Sequence, residues 1–232
     1  MASIQIKATD GSGSFAAYVV EPAGKPAGSV VLIQEVFGVN QAMRDIAAWV
    51  ADLGFIAICP DLFWRIEPGV DITDKSEAEW KKAFELFGKF DQAKGIEDLK
   101  ATLAVARTLP GANGKVATMG YCLGGRLAFM MAEQSDADVN ISYYGVGLDG
   151  LVGDLGKVTK PLLVHIADKD EFFPAEGRAK TVAAAKGHPQ IACYNYDADH
   201  AFARVGGTHW HGLAATIANG RSAEAVAAAL GA

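Results

Sequence analysis

One stretch of the sequence limits the possible fold more than any other. Residues 115–126 read as a short apolar strand, a turn of small residues and the start of a helix. The turn has the pattern Gly-x-Cys-x-Gly around Cys122, and side chains at Gly120 or Gly124 would collide where the strand and the helix cross. Such a turn lifts the sulfur clear of the sheet to a helix N-terminus, where the helix dipole favours a thiolate. The pattern indicates a nucleophile elbow, and its alternative is a buried structural cysteine.

Short apolar runs alternate with helical patterns along the rest of the chain. Runs such as 29–33 and 55–59 are continuously apolar, which is typical of strands buried on both faces of a parallel sheet. We therefore predict an α/β fold with a mostly parallel central sheet and helices on both faces, in one domain over residues 1–232. Besides the elbow strand, the predicted strands are 3–7, 14–20, 29–33, 55–59, 139–144, 161–166 and 191–196. The predicted helices are 41–53, 76–87, 91–108, 124–133, 174–186 and 222–230.

Composition excludes several classes of protein. The 232 residues are 50% hydrophobic and 21% charged, which suits a globular chain with a full core. A net charge of −6 and the lack of a basic run argue against nucleic acid and anionic membranes as partners. No apolar run approaches the ~18 residues of a membrane span, and residues 1–10 lack the apolar core of a signal peptide. We expect a cytoplasmic monomer without a nucleic-acid or membrane partner.

The three cysteines lie far apart in the sequence. Cys59, Cys122 and Cys193 cannot all pair, so at least one thiol is free and a reducing compartment is expected. Cys59 and Cys193 fall in strand-like stretches and are read as packed strand residues.

The loops that follow strands contain a base and an acid for Cys122. Reactive groups in a parallel sheet collect at the carboxyl ends of strands. Asp168 and Asp170 follow one predicted strand, and His200 follows the next. The order nucleophile, acid, histidine matches the α/β-hydrolase arrangement, in which histidine takes the nucleophile's proton and the acid orients the imidazole. By position alone, Asp168 and Asp170 both qualify as the acid.

The other histidines have simpler explanations. His165 lies inside an apolar strand and is expected in the core, and His188 lies in a loop. His209 and His211 flank Trp210 in an H-x-H pattern, but no third ligand lies nearby in the sequence. We therefore expect no metal and no cofactor.

With these residues in place, the sequence resembles the dienelactone hydrolase (carboxymethylenebutenolidase) family almost from end to end. The matching stretches are 34–40, 59–62, 120–125, 143–147, Asp170-x-Phe172-x-Pro174 and His200-x-Phe202-Ala203-Arg204. The resemblance implies an α/β-hydrolase fold with a cysteine nucleophile, an aspartate four residues before a proline, and a histidine. These roles fall on Cys122, Asp170 and His200, which favours Asp170 over Asp168.

The resemblance also implies supporting residues. In the family a glutamate, here Glu35, interacts with the resting thiol, and we hypothesise that it keeps Cys122 poorly reactive until substrate displaces it. The alternative is that Glu35 is a solvated loop carboxylate. The backbone N–H groups of Leu123 and Val36 would form the oxyanion hole, and Arg204 would bind a substrate carboxylate.

The sequence departs from the family pattern at one expected binding residue. The position of a second carboxylate-binding arginine falls on Trp80. Either Lys81 or Arg65 replaces that arginine, or the preferred substrate differs. Trp80 would then line a larger or more apolar pocket, or it would simply pack its helix. Other aromatic residues expected to wall the pocket, or to belong to an ordinary core, are Phe37, Tyr144 and Phe172.

Together with these residues, the resemblance implies a hydrolase that opens a small lactone bearing a carboxylate, as in the breakdown of aromatic compounds. The reaction would proceed through a thioester acyl-enzyme. A carboxylesterase or thioesterase with a different pocket is one alternative, and a non-catalytic binding protein on the same fold is the other.

Overall fold

A computed structural model describes residues 2–231 of the chain. They form two compact units, one of residues 2–116 with 230–231 and one of residues 117–229. The single domain over residues 1–232 stays a prediction. Within the described part of the chain, no helix combines the length and the apolar character that crossing a membrane requires.

The first unit contains four strands and three helices. In chain order they are β1 (Ala2–Lys7), β2 (Ser14–Val20), β3 (Ser29–Ile33), α1 (Gln41–Asp52), β4 (Ile56–Pro60), α2 (Glu77–Lys89) and α3 (Gln92–Ala106). β2 is antiparallel to both β1 and β4, and β4 is parallel to β3. Every residue of β3 and β4 is buried, as their continuous apolar sequences predicted. The helices begin at Asn40, Ser76 and Asp91, whose side chains each cap an N–H three residues onward.

The second unit contains four parallel strands in the spatial order β5-β6-β7-β8. Its main elements are β5 (Val116–Tyr121), α4 (Leu123–Gln134), β6 (Val139–Tyr143), β7 (Leu162–Ala167), α5 (Ala175–Ala185), β8 (Ile191–Tyr196) and α6 (Gly212–Leu230). All residues of β5, β6 and β7 are buried, whereas most of β8 is half-buried. The predicted α/β arrangement is confirmed: β5 to β8 are all parallel, as are β3 and β4, whereas β2 is antiparallel to both of its neighbours.

Two parts of the second unit were predicted wrongly or missed. Helix α6 begins at Gly212, ten residues before the predicted start at Ser222, because His211 Nδ1 accepts the N–H of Ala214 at 3.2 Å and caps the helix. Two short 3₁₀ helices, Leu148–Gly150 and Val152–Lys157, were not predicted. They bring Leu148 and Leu155 into a core cluster with Phe129, Leu162 and Phe173.

A buried chain of polar side chains joins α6 to three strands. His165 on β7 places Nδ1 2.8 Å from the Tyr196 hydroxyl on β8 and Nε2 3.0 Å from the Ser222 hydroxyl on α6. Ser222 Oγ lies 2.7 Å from the Tyr143 hydroxyl on β6. His165 is therefore a core residue, as its position in an apolar strand predicted.

The two ends of this chain fix the direction of every hydrogen bond in it. Arg221, which has only donors, donates to the Tyr196 hydroxyl at 2.9 Å, which leaves the Tyr196 proton available to His165 Nδ1. At the other end, Tyr143 donates to Asn219 Oδ1 at 3.0 Å. Because the one proton of Tyr143 is used there, the Ser222 hydroxyl must donate to Tyr143. The Ser222 oxygen then accepts the N–H of His165 Nε2.

This geometry keeps His165 neutral. Burial, with the nearby charge of Arg221, lowers the pKa of His165 to about 3. A second proton on Nδ1 would also face the Tyr196 hydroxyl, which already donates there. In the unfolded chain His165 binds a proton near pH 6.5, whereas in the folded chain it does not until about pH 3. The free energy of unfolding therefore decreases as the pH falls from about 6.5 towards 3.

We therefore expect His165→Gln to make the free energy of unfolding less dependent on pH below about 6.5. The amide keeps one donor and one acceptor but does not titrate, so its free energy of unfolding should fall less steeply between pH 6.5 and 4 than that of the wild type. At pH 8 the variant should be less stable by about 1–3 kcal/mol through imperfect hydrogen bonding. Urea unfolding at several pH values measures both effects. His209→Gln, at an exposed histidine, is the control, and equal slopes for all three proteins would contradict this explanation.

Candidate active site

Cys122 occupies the turn between β5 and α4 in a strained conformation. Its φ of 57° and ψ of −114° lie outside the ordinary regions for a residue with a side chain, at an expected cost of about 1–3 kcal/mol. Its N–H donates to the Tyr143 carbonyl at 3.1 Å, and its carbonyl accepts the N–H of Arg126 at 3.1 Å. The thiol is partly exposed at the N-terminus of α4. The turn therefore presents its sulfur at a helix N-terminus, as the Gly-x-Cys-x-Gly pattern predicted.

Close backbone contacts hold this turn. A Cβ on Gly120 would lie 1.9 Å from the carbonyl oxygen of Gly124, and a Cβ on Gly125 would lie 2.3 Å from the carbonyl oxygen of Tyr143. Only glycine fits at either position, since real Cβ atoms do not approach within 3.0 Å of another heavy atom. The sequence pattern indicated the first contact. Gly125 and the Tyr143 carbonyl were missed, although Gly125 directly follows the pattern.

His200 and Asp170 form a buried pair in the same unit. His200 Nδ1 lies 2.7 Å from Asp170 Oδ2, with side-chain exposures of 4% and 1%. The other carboxylate oxygen of Asp170 accepts the N–H of Phe172 at 2.9 Å. Asp168 has different partners, since its carboxylate accepts the side-chain amide of Asn195 at 2.6 Å in an exposed position. Of the two aspartates left open by their position in the sequence, only Asp170 contacts the imidazole.

Two aromatic rings flank the imidazole. The rings of Tyr144 and Phe172 meet His200 edge-on, with centroids 5.2 and 5.0 Å away. Tyr144 is buried and has a positive φ of 36°, whereas Phe172 is 38% exposed. Tyr144 and Phe172, which were predicted to line a pocket, thus both contact the imidazole of His200 directly.

The charge on His200 is set by a competition. Burial favours the neutral imidazole and lowers its pKa, but the negative charge of Cys122, the hydrogen bonds to Asp170 and Cys122, and the charge of Asp170 together raise the pKa to about 10. Nδ1 is held by Asp170, and the contact of the buried Nε2 with Cys122 is looser than a regular hydrogen bond. Such loose contacts are common in proteins without bound substrate. The arrangement favours the imidazolium form of His200.

Arg204 lies four residues beyond His200. Its side chain is nearly buried, at 7% exposure, and its N–H donates to the carbonyl of Ala201 at 3.0 Å. Ala201 has a φ of 61°, so the backbone turns sharply between the histidine and the arginine.

Three further predicted site residues lie in the first unit, in the loop after β3. Glu35, Val36 and Phe37 are all buried, at 2%, 6% and 1% exposure. Glu35 is therefore not a solvated loop carboxylate. The loop is fixed by Gly38, with a φ of 80°, because a Cβ there would lie 1.9 Å from the carbonyl oxygen of Val70.

Trp80 packs into an aromatic cluster on α2. Its ring meets Phe37 edge-on at 5.0 Å and stacks on Phe84 at 5.5 Å, and its indole N–H donates to the Asp74 carbonyl at 3.0 Å. Trp80 thus packs its own helix and also contacts a predicted pocket residue.

Arg65 and Lys81, the two candidates to replace the missing arginine, differ in whether other side chains already bind them. Arg65 donates to the buried Asp98 at 2.8 and 3.0 Å, pairs with Asp10 at 3.0 Å, and lies 4.3 Å over the ring of Trp64. A guanidinium with these partners is not available to a substrate. Lys81 is exposed on α2.

Comparisons with known proteins point to one family. The sequence model of the dienelactone hydrolase family matches residues 15–230. A protein of Azospirillum brasilense named "Putative carboxymethylenebutenolidase" is 53% identical over 226 residues, covering 96% of each chain. The carboxymethylenebutenolidase of Pseudomonas putida is 39% identical over 219 residues, covering 94% of this chain and 92% of the relative.

The chain belongs to the dienelactone hydrolase family. Family membership makes it a hydrolase. Among solved structures, a "Putative Dienelactone Hydrolase" of Klebsiella pneumoniae has a TM-score of 0.83 at 23% identity and covers 99% of this chain and 98% of its own. An esterase of Pyrococcus furiosus has a TM-score of 0.72 at 13% identity, covering 99% and 93%. These likenesses show the α/β-hydrolase fold predicted from the sequence.

For this member of the dienelactone hydrolase family, we expect Asp170→Asn to lower the pKa of His200. The variant removes the charge and weakens the hydrogen bond that favour the imidazolium, while burial continues to oppose it. Asp168→Asn makes the same change of charge two residues away, beside Asn195, and should leave the His200 titration nearly unchanged. NMR titration of the His200 ring resonances measures both. Equal shifts in the two variants would mean that general loop charge, rather than the Asp170 contact, sets the pKa.

Proposed function

We propose that this protein hydrolyses a small lactone that bears a carboxylate, through a thioester formed on Cys122. The observation that carries the proposal is the buried Asp170–His200 pair beside a cysteine held at a helix N-terminus. The names of the relatives, which are carboxymethylenebutenolidases, supply the substrate class.

The reaction begins with the thiolate of Cys122 and the imidazolium of His200. The sulfur attacks the lactone carbonyl carbon, and the ring C–O bond breaks as the tetrahedral intermediate collapses to a thioester. The departing ring oxygen takes the proton of His200. Water then gives a proton to His200 and attacks the thioester, and the thiolate leaves. The sum is the addition of one water across the ring C–O bond.

Electrostatic stabilisation of the intermediate falls to backbone amides. The N–H of Leu123 is one of the first in α4, where helix N–H groups lack partners inside the helix. We assign it to the oxyanion hole together with the N–H of Val36, on the family resemblance. Two such donors would contribute a few kcal/mol each to the transition state.

Arg204 is assigned to the substrate carboxylate. Its nearly buried side chain follows His200 by four residues, across the sharp turn at Ala201. This short separation supports an anion site near the catalytic histidine. A guanidinium at low exposure binds a carboxylate strongly because both groups are shielded from water.

A specific observation favours a second candidate function. Trp80 occupies the position of an expected arginine and forms an aromatic cluster with Phe37 and Phe84, and Arg65 is fully engaged elsewhere. A single carboxylate-binding arginine and an aromatic wall also suit an esterase or thioesterase with a more apolar acyl group.

Ring opening of cis- and trans-dienelactone, followed by absorbance, tests the proposal. We expect turnover by the wild type and its loss in Cys122→Ala, since the nucleophile is removed. Cys193→Ala is the matched control, because burial raises the pKa of that thiol to about 11 and the mechanism does not use it. Cys122-dependent hydrolysis of p-nitrophenyl acetate without lactone opening would favour the esterase. No turnover of either compound would overturn both and favour a binding protein.

Glu35 is proposed to restrain the thiol of Cys122 until substrate displaces it. A buried carboxylate is costly, which gives a reason to expect a specific task for it. A carboxylate near a thiolate disfavours the thiolate. We expect Glu35→Ala to label faster with iodoacetamide in the absence of substrate and to turn over at an altered rate. Unchanged labelling and unchanged turnover would remove this role.

A further inference from the structure

One arginine holds the loop that carries Asp170. The loop spans residues 168–173, between β7 and α5. Arg178 on α5 donates to three of its backbone carbonyls: that of Asp168 at 2.5 Å, that of Asp170 at 3.1 Å, and that of Phe173. A guanidinium has five N–H donors in one plane, so a single side chain can serve three convergent acceptors.

The location of Arg178 is unfavourable for an ordinary surface cation. It lies in the first turn of α5 (Ala175–Ala185), where the helix dipole repels positive charge. No side chain caps this end, since Pro174 precedes it. The three carbonyls supply the negative partial charge that compensates the guanidinium. The helix dipole by itself disfavours an arginine at this position. The contacts with the loop carbonyls therefore explain why an arginine is found here.

The hydrogen bonds that tie the second half of the loop to the rest of the unit come from Arg178, and the ring of Phe173 is also buried in the core cluster. The N–H groups of Asp168 and Lys169 donate to the carbonyls of Tyr196 and Ala198 and so hold its first half. Beyond them, the carboxylate of Asp170 accepts the Phe172 N–H, as described above. Arg178 is bonded on both sides of Asp170, at residues 168 and 173, and to Asp170 itself.

We propose that Arg178 is a positioning residue, which holds Asp170 in the place where its carboxylate meets His200. The proposal rests on the proposed function, because it assigns Asp170 to the orientation of a catalytic histidine. Arg178 acts on the substrate only through the loop backbone and the Asp170 carboxylate.

The expected signature is a change in the titration of His200. The titratable groups that meet this imidazole within the second unit are Cys122, Asp170 and Tyr144. Four neighbouring charged side chains are exposed, namely Lys169, Glu171, Asp197 and Asp199, and Lys169 pairs with Asp197 at 2.9 Å. A fifth, Arg204, is nearly buried four residues after His200. If Asp170 moves away, the pKa of His200 falls, and the alkaline limb of the rate, where the imidazolium is lost, moves to lower pH.

The test compares Arg178→Ala with Lys180→Ala, which removes an equal charge from an exposed position of the same helix. We expect Arg178→Ala to lower kcat by roughly 10- to 100-fold with little change in KM, because misplacement of a catalytic group costs about this much. Its alkaline limb should move to lower pH, and millimolar guanidinium chloride should restore part of kcat, whereas sodium chloride of equal ionic strength should not. Lys180→Ala should match the wild type.

A purely structural role would appear differently. Arg178→Ala would then lose thermal stability but keep the wild-type kcat and alkaline limb, and this result would overturn the proposal. If Arg178→Ala does not fold, Arg178→Lys carries the test, since it keeps the charge but cannot reach three carbonyls with a planar fork. Failure of the proposed function is seen separately, as turnover that survives Cys122→Ala in a protein with intact Arg178.

Discussion

The second unit depends on the close backbone crossing beneath Cys122. The carbonyl of Gly124 occupies the space that a side chain on Gly120 would need, and the carbonyl of Tyr143 does the same at Gly125. The same Tyr143 carbonyl accepts the Cys122 N–H. The strained conformation of Cys122 is thus fixed by contacts on both sides. Backbone strain of this kind persists only where the surrounding structure leaves no alternative, and here it places the sulfur at the start of α4.

Two buried histidines in one unit differ in charge, His165 being neutral and His200 positive, because their partners differ. His165 meets two hydroxyls, which solvate a neutral ring but offer no net charge, so burial lowers its pKa to about 3. His200 is buried to a similar degree, but it meets a carboxylate and a sulfur, and its pKa rises to about 10. Burial alone therefore does not decide the protonation of a histidine. The decisive quantity is the charge of the groups that replace water around it.

Much of the fold was readable from the sequence, because buried parallel strands are continuously apolar and helix starts carry capping side chains. The start of α6 was not readable, since it depends on a cap by His211, a residue type that does not mark helix starts. The candidate triad could be located because chain order places its loops at strand ends. Choosing Asp170 over Asp168 needed the family resemblance, and the geometry separates them only through contacts made across 30 residues of sequence. Arg178 left no sequence signal, because it binds backbone carbonyls, which every residue has.

The polar chain through His165 begins and ends on the same helix. Its terminal donor is Arg221 and its terminal acceptor is Asn219, two residues apart on α6, and between them it visits β8, β7 and β6. Because each hydroxyl is used once as donor and once as acceptor, no member can change partner alone. Sliding α6 by one residue would break all the links to the helix together rather than one at a time. The chain therefore specifies where α6 lies along its own axis against β6, β7 and β8.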